Sequence, residues 1–423
     1  MSLLLRATEN YGNVYIEDGT IAEIGCAAYD ADTVIDAKRK ALVPGFVNTH
    51  THAAMTLFRG YADDLPLQTW LADWIWPAEA KLTGEDVCWG TKLACLEMIK
   101  TGTTAFNDMY WHASESAKAV DEMGIRGVIS NVFIDIDGGS GGSEEETQRE
   151  TKRLITKLTK DYSDRVMPAL GPHAIYTVSE ESLLWIAEFA REEDLLVHIH
   201  VSETEQEVKD CIEKTGMRPV EYLDRIGFLG PNVVSAHCVW LDDNEISLLA
   251  KHNVNVSYNP TSNMKLAVGE NVRYPALRAA GVNVSIGTDG CASNNNLNML
   301  ESAKFASLSQ KAATNQPTMM PARDALSMVT KHGAQALRIG EGGGEITEGA
   351  PADLLLIDLQ LPGMTPLHNL DSNLIYASSN CVDTTICDGV VLMEGGAVGG
   401  EEEILMKASE TAFDLVNRRQ RDG

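Results

Sequence analysis

Two histidines separated by a single residue, His50 and His52, are the clearest chemical signal in the sequence. They follow an apolar run around Leu42 and Val43 that is typical of a buried strand. Because residues two apart in a strand point to the same face, both imidazoles can approach one point. Imidazole is the usual ligand for zinc and similar divalent ions. The pair therefore indicates a metal site, although taken alone it fits two core or surface histidines equally well.

Three later segments also end a strand-like apolar run in a residue that can bind metal or move a proton. His200 ends the run that begins at Leu195, and Glu203 lies just beyond it. His237 and Asp289 end two further runs in the same way. In a (β/α)8 barrel the active site lies at the carboxyl ends of the strands. Four such strand ends therefore predict one shared site.

The central region alternates between strand and helix patterns. Strand patterns lie at 43–49, 103–108, 126–133, 166–171, 195–201, 232–237, 254–258 and 282–287. Helical patterns separate them, for example at 85–100, 114–123, 179–193 and 205–214. This alternation favours a parallel α/β fold, either a closed barrel or an open doubly wound sheet. No G-x-G-x-x-G motif follows a strand, so a dinucleotide-binding fold has no support. The strand ends favour a TIM-like (β/α)8 barrel.

Short strands without helices are predicted at both ends of the chain. Asp18-Gly19 is typical of a hairpin turn between two of them. We therefore expect a small β-sandwich domain formed by residues 1–45 and 346–423, with a terminal helix. The catalytic barrel is expected over residues 46–345.

Composition narrows the class of protein. The 423 residues carry a formal charge of −27, which argues against nucleic acid or anionic membranes as partners. Neither a long apolar run nor a signal-peptide pattern is found, so a cytoplasmic location is expected. The eight cysteines form no C-x-x-C pair and are expected to be reduced.

The order of the motifs resembles the amidohydrolase superfamily and, within it, the deaminases of adenosine-type nucleosides. The resemblance covers nearly the whole chain. It rests on residues 43–52, 76–80, 101–104, 171–173, 198–204, 236–238, 259–263 and 287–290. It implies a distorted (β/α)8 barrel with a small β domain, which agrees with the pattern of strands and helices.

The resemblance also implies roles for individual residues. Its metal ligands match His50, His52, His200 and Asp289. Glu203 matches a residue that moves a proton to the purine ring, and His237 one that orients the attacking hydroxide. Glu79 and His173 match contacts to ribose and purine. One divalent metal is expected, with zinc first and iron(II) or manganese(II) as alternatives.

The chemistry of these residue types agrees with that assignment. Three imidazoles and a carboxylate leave a position open for water, as in catalytic metal sites. Asp289 can accept the water proton and deliver it to the leaving amine, and Glu203 can protonate a ring nitrogen. Members of the superfamily with two metals use a lysine at the end of the fourth strand. Residues 166–173 contain no lysine, so one metal is expected.

The substrate is predicted to be a small purine nucleoside. Family members that favour S-adenosylhomocysteine carry arginines near the third strand, whereas residues 129–140 contain none. Asp135 and Asp137 would repel a carboxylate if they faced the pocket. Preference should therefore shift to 5′-deoxyadenosine, methylthioadenosine or adenosine. An oligomer of identical chains is also expected.

Two other functions stay open. One is hydrolysis of another aminated heterocycle, such as guanine or a triazine. The other is a catalytically inactive barrel that binds a metabolite. Glu79 argues against a bare ring as substrate, since a ribose-binding carboxylate would have no purpose there. Loop residues Ser262, Asn263 and Ser293 could line the site but rank below the residues named above.

Overall fold

A computed structural model describes residues 2–6, 12–26, 30–65, 67–135, 144–378 and 380–421. The strands of this part of the chain are β1 (Ser2–Arg6), β2 (Asn13–Glu17), β3 (Thr20–Cys26), β4 (Thr33–Asp36), β5 (Lys40–Pro44), β6 (Phe46–Thr51), β7 (Thr103–Tyr110), β8 (Arg126–Phe133), β9 (Val166–Pro172), β10 (Leu196–Val201), β11 (Val233–His237), β12 (Asn255–Tyr258), β13 (Val284–Ile286), β14 (Leu354–Asp358), β15 (Val382–Cys387), β16 (Val390–Glu394) and β17 (Ala397–Val398).

The α-helices are α1 (Leu67–Trp70), α2 (Trp76–Glu79), α3 (Gly84–Thr101), α4 (Ala113–Met123), α5 (Glu144–Asp161), α6 (Glu180–Glu192), α7 (Glu205–Thr215), α8 (Pro219–Arg225), α9 (Asp243–Lys251), α10 (Pro260–Lys265), α11 (Tyr274–Ala279), α12 (Met299–Thr314), α13 (Ala322–Met328), α14 (Lys331–Ala336), α15 (Leu370–Ser372) and α16 (Glu401–Arg421). Short 3₁₀ segments lie at Ala53–Phe58 and Pro362–Met364, and π-helical turns at Leu71–Ile75 and Asn373–Ala377. None of the described helices is both long and apolar enough to cross a membrane.

Strands β6 to β13 form one parallel sheet in chain order, and this sheet is the predicted barrel. Most of the residues in these strands are buried on both faces, because helices cover the outside. The sheet curls until its first and last strands meet. Asp289 N–H donates to the His50 carbonyl at 2.9 Å, and the Thr49 hydroxyl donates to the Ile286 carbonyl at 3.0 Å. These bonds close the barrel directly beneath the strand ends that carry the candidate site.

The predicted strand at 43–49 is in fact two strands in different sheets. Lys40–Pro44 pairs antiparallel with β14, whereas Phe46–Thr51 pairs with β7 in the barrel. Gly45 separates them, and a Cβ atom there would lie 2.1 Å from the Thr104 hydroxyl oxygen. The close approach to β7 therefore requires glycine at the point where the chain passes from one sheet to the other.

Two antiparallel or mixed sheets lie outside the barrel. One has the order β3-β2-β1-β4, and the other the order β17-β16-β15-β14-β5. The second sheet joins a strand from the beginning of the chain to four from its end. Asp18 and Gly19 form the predicted turn between β2 and β3, both with positive φ. The division into residues 1–45, 46–345 and 346–423 stays a prediction.

Candidate active site

The four predicted metal ligands lie together at the carboxyl end of the barrel. His50 and His52 come from β6, His200 from β10, and Asp289 from the segment just after β13. The Nε2 atoms of His52 and His200 are 3.3 Å apart. Asp289 Oδ1 lies 3.5 Å from His50 Nε2 and 3.4 Å from His52 Nε2. The structure thus brings four donor atoms, from three separate parts of the chain, to one point.

The other ring nitrogen of each histidine is held by a neighbour. His52 Nδ1 donates to the Met109 carbonyl at 2.6 Å, and His200 Nδ1 donates to the His173 carbonyl at 2.7 Å. A proton on Nδ1 leaves the Nε2 lone pair free to bind an ion. His50 Nε2 is buried and has no hydrogen-bond partner among the described residues. An unpartnered nitrogen close to two other imidazole nitrogens and a carboxylate oxygen fits a bound divalent metal ion.

A further histidine, His198, supports His50 from below. Its Nε2 lies 2.6 Å from His50 Nδ1, and the two rings meet edge to face. His198 precedes His200 by two residues, so both side chains share one face of β10. The sequence therefore contained a signal for His198, namely the second histidine pair His198-Ile199-His200.

Protonation states also suit metal binding. Burial lowers the pKa of His50 to about 4 and holds the pKa of His200 well below its usual value. Burial alone would raise the pKa of Asp289, but His50 and His52 outweigh it and hold that pKa well below the usual range. These directions favour neutral imidazoles at His50 and His200 and an ionised carboxylate at Asp289, the forms that bind metals.

Glu203 and His237 face each other beside this cluster. Glu203 Oε2 lies 3.8 Å from His237 Nε2. Burial raises the pKa of Glu203, so this group takes up a proton more readily than an exposed glutamate does. Burial would lower the pKa of His237, but the carboxylates of Glu203 and Asp289 outweigh it and raise that pKa. The pair can therefore exchange protons with a molecule bound between them and the metal ligands.

Glu79 and His173 lie on the walls of the same cavity. The Tyr110 hydroxyl donates to Glu79 Oε1 at 2.7 Å, and the Trp111 side chain also bonds to this carboxylate. A carboxylate has about four acceptor positions, so it can still accept hydrogen bonds from a ligand. The His173 ring is fixed through Nδ1, 2.9 Å from the Thr177 hydroxyl. Burial lowers the pKa of His173 to about 3, so the ring is neutral. All the predicted site residues except His50 line this cavity or touch it directly.

The rest of the cavity wall is mostly apolar, with a few acidic and neutral polar residues. The cavity volume is about 230 Å³, and no described lining residue is lysine or arginine. The aromatic and aliphatic lining comprises Met55, Trp70, Leu71, Trp76, Met109, Tyr110, Trp111, Val132, Ile134, Tyr176 and Leu266. Of the tryptophans near Glu79, Trp74 is not part of the wall, whereas Trp111 is.

The expectation for Asp135 needs correction. Its carboxylate accepts the backbone N–H and the hydroxyl of Ser179, each at 2.7 Å. Asp135 thus lies against the start of α6 and does not line the cavity, because an unpaired helix N-terminus attracts a carboxylate. Asp137 and the rest of residues 136–143 lie outside the described residues.

Three polar residues next to the site make hydrogen bonds that the sequence did not predict. The Ser262 hydroxyl donates to Asp289 Oδ2 at 2.6 Å, and Ser293 lies 3.1 Å from Ser262. His237 Nδ1 donates to Asn263 Oδ1 at 2.8 Å. Ser293 also lines the cavity, whereas Ser262 and Asn263 do not. Their importance depends on neighbours distant in sequence, which the local pattern 259–263 could not reveal.

Several known proteins are similar to this chain in sequence and in architecture. The 5′-deoxyadenosine deaminase of Methanoregula boonei is 51% identical over 415 residues, covering 96% of this chain and 93% of that protein. The 5-methylthioadenosine/S-adenosylhomocysteine deaminase 1 of Archaeoglobus fulgidus is 49% identical over 409 residues, covering 96% and 95%. A crystal structure of an adenosine deaminase from Xanthomonas campestris with bound zinc superposes with a TM-score of 0.92 at 33% identity, covering 98% of both chains. The model of the amidohydrolase family matches residues 41–392, and the chain belongs to this family.

Proposed function

We propose that this protein removes ammonia from 5′-modified adenosines by hydrolysis and releases the corresponding inosine analogue. The observation that carries the proposal is the position of Glu203 and His237, 3.8 Å apart beside the four-donor cluster. A proton donor and a polar ring next to a metal site are what water addition to an aminated purine requires. The names of the relatives from M. boonei and A. fulgidus point to the same chemistry.

His50, His52, His200 and Asp289 would hold the metal ion. We propose zinc, the ion bound in the X. campestris structure, with iron(II) and manganese(II) as alternatives. When bound, the ion supplies the Lewis acidity that lowers the pKa of water from 15.7 toward ~7.

The chain's own residues then move the protons. Asp289 accepts one from the attacking water, and Glu203 gives one to the ring nitrogen, so that negative charge does not build up on the purine. His237 holds the oxygen added at C6 through a hydrogen bond from its ring. Asp289 returns its proton to the amino group, the carbon–nitrogen bond breaks, and ammonia leaves. Glu203 recovers its proton from the ring nitrogen or the new hydroxyl group.

The cavity wall favours a small neutral group at the 5′ position. Glu79 would bind the ribose hydroxyls, since a carboxylate can accept two hydrogen bonds at once. A carboxylate on the substrate would lose its hydration and find no cation among the described lining residues. We therefore propose higher kcat/KM for 5′-deoxyadenosine or methylthioadenosine than for S-adenosylhomocysteine.

A panel of substrates tests the proposal. Ammonia release would be measured for adenosine, 5′-deoxyadenosine, methylthioadenosine, S-adenosylhomocysteine, guanine and an aminated triazine, with Glu203→Gln as the inactive control. We expect turnover of the adenosines, with the two small 5′ groups preferred. Turnover of guanine or the triazine alone would replace the nucleoside assignment. Metal binding without turnover of any compound would favour an inactive, metabolite-binding barrel. A cytoplasmic location and an oligomer of identical chains stay predictions.

A further inference from the structure

The short helix α10 contacts two active-site groups without lining the cavity itself. Ser262 and Asn263 are consecutive residues of this helix, and both are buried. Ser262 bonds to Asp289, which follows β13, and Asn263 bonds to His237 at the end of β11. One helical turn thus forms hydrogen bonds with side chains at the ends of two different strands.

We propose that Ser262 and Asn263 are positioning residues for the deamination, Asn263 through His237 and Ser262 through Asp289. The inference rests on the proposed function, because it concerns the residues that move protons there. The deamination requires both groups in fixed orientations, and α10 supplies one hydrogen bond to each.

Asn263 fixes which nitrogen of His237 faces the cavity. Its Oδ1 can only accept, so the contact of 2.8 Å requires a proton on His237 Nδ1. Nε2 then points toward Glu203 Oε2, 3.8 Å away. His237 also has φ of +70°, in the left-handed region, which a non-glycine residue keeps only when its surroundings hold it there. The hydrogen bond that His237 donates to Asn263 is one of those restraints.

The hydrogen bond from Ser262 gives the two oxygens of the Asp289 carboxylate different partners. Oδ2 accepts the Ser262 hydroxyl at 2.6 Å, while Oδ1 faces His50 and His52 at 3.5 and 3.4 Å. The carboxylate therefore cannot rotate without losing one set of partners. Asp289 also has a positive φ, +66°, so its side chain starts from a restrained backbone.

Helix α10 is itself held against the barrel. Asn263 N–H donates to the Asn259 carbonyl at 3.0 Å, and Pro260 begins the helix. Asn259 packs against Gly287, where a Cβ atom would lie 2.5 Å from Asn259 Oδ1 and 2.6 Å from His50 Cβ. Asn259, the residue before the helix, thus fixes the start of α10 against the segment that follows β13.

Substitutions in α10 test the inference. In Asn263→Leu we expect kcat to fall about 10- to 100-fold, with KM changed less than about threefold and metal content unchanged. Asn263→Asp keeps an acceptor at the same place and should recover most of the activity. Ser262→Ala should lower kcat by a similar factor. Thr261→Val is the matched control, because the Thr261 hydroxyl has no hydrogen-bond partner among the described residues and its loss should change nothing.

A spectroscopic measurement keeps the test independent of activity. In metal-free protein with ¹⁵N-labelled histidine, the signal of His237, assigned by its loss in His237→Asn, should show a proton on Nδ1, whether or not Nε2 also carries one. Asn263→Leu should abolish this preference for a proton on Nδ1, and if this variant does not fold, Asn263→Ala takes its place. An unprotonated Nδ1 in the wild type, or wild-type kcat in Asn263→Leu, would overturn the inference. Absence of turnover in the wild-type protein would refute the proposed function, while the tautomer measurement would still decide the role of Asn263.

Discussion

Glu203 Oε2 lies 3.8 Å from His237 Nε2, because Glu203 follows β10 and His237 ends the neighbouring strand β11. Parallel pairing of β10 with β11 places Val201 opposite His237, so the segment after β10 carries Glu203 past the end of β11. The distance is too long for a direct hydrogen bond, so each group can bond instead to a polar atom of a ligand that lies beside both. The two groups are therefore placed to act on one reacting part of a substrate.

Replacement of Glu203 should remove proton transfer and little else. We expect Glu203→Gln to retain metal and fold normally while kcat falls about 10²- to 10⁴-fold, the usual contribution of a general acid–base. The matched control is Glu205→Gln, two residues further on, where the carboxylate is exposed and pairs with Lys209 at 2.8 Å. Elemental analysis and steady-state kinetics check both variants. Full turnover in Glu203→Gln would remove Glu203 from the mechanism.

Glu79 should matter for nucleosides and not for folding. Tyr110 and Trp111 use only part of the carboxylate's roughly four acceptor positions, so the remaining positions are available to the sugar hydroxyls. We expect Glu79→Ala to lower kcat/KM for adenosine about 10²-fold or more, since buried hydroxyl-binding groups discriminate strongly. The thermal midpoint should change little. A 2′,3′-dideoxyadenosine analogue should react poorly with the wild type and lose little further in the variant; equal reactivity of the two nucleosides with the wild type would contradict the ribose contact.

One metal ion per chain should be necessary and sufficient for activity. His50, His52 and His200 form one compact donor set, and Asp289 Oδ1 lies 3.5 Å from His50 Nε2 and 3.4 Å from His52 Nε2. The end of β9 carries His173 with no lysine nearby to bridge a second ion. We expect dialysis against a chelator to abolish turnover and one equivalent of Zn²⁺ to restore it. Elemental analysis and a titration of activity against added metal measure this. Recovery that requires two equivalents would show a two-metal centre.

Glu207 should make stability depend on pH. Its carboxylate accepts the backbone N–H groups of Ser202 and Glu203, each at 2.8 Å, and burial raises its pKa to about 7 from an ordinary 4.5. The folded state therefore binds a proton more tightly than the unfolded state. This contribution to stability is complete below about pH 4.5 and is lost as the pH rises through about 7.

The comparison uses Glu207→Gln, which cannot titrate, in chelator-treated protein. Between pH 5 and 8 the stability of the wild type relative to the variant should fall, by up to about 3 kcal/mol at 1.36 kcal/mol per pKa unit. Thermal unfolding midpoints across this range measure the change. A difference that stays constant, or grows with pH, would contradict the raised pKa.

The positions of the candidate residues at the strand ends could be predicted from the sequence. Most of the hydrogen bonds that hold them in place could not. The barrel and the amidohydrolase resemblance are confirmed, because the strand and helix periodicities and the order of motifs are local features of the sequence. The break at Gly45 and the turn of Asp135 toward Ser179 depend on contacts with distant segments. The same is true of Asn263, whose partner His237 lies 26 residues earlier in the chain.

The junction between β6 and β13 has a consequence for how the protein is made. These are the first and last strands of the barrel, and His50 meets Asp289 only across that junction, through a backbone bond of 2.9 Å. More than two thirds of the chain must therefore be synthesised before His50 and His52 can contact Asp289. Completion of the barrel and assembly of the four donors are thus a single late event, and a chain that ends before Asp289 has neither.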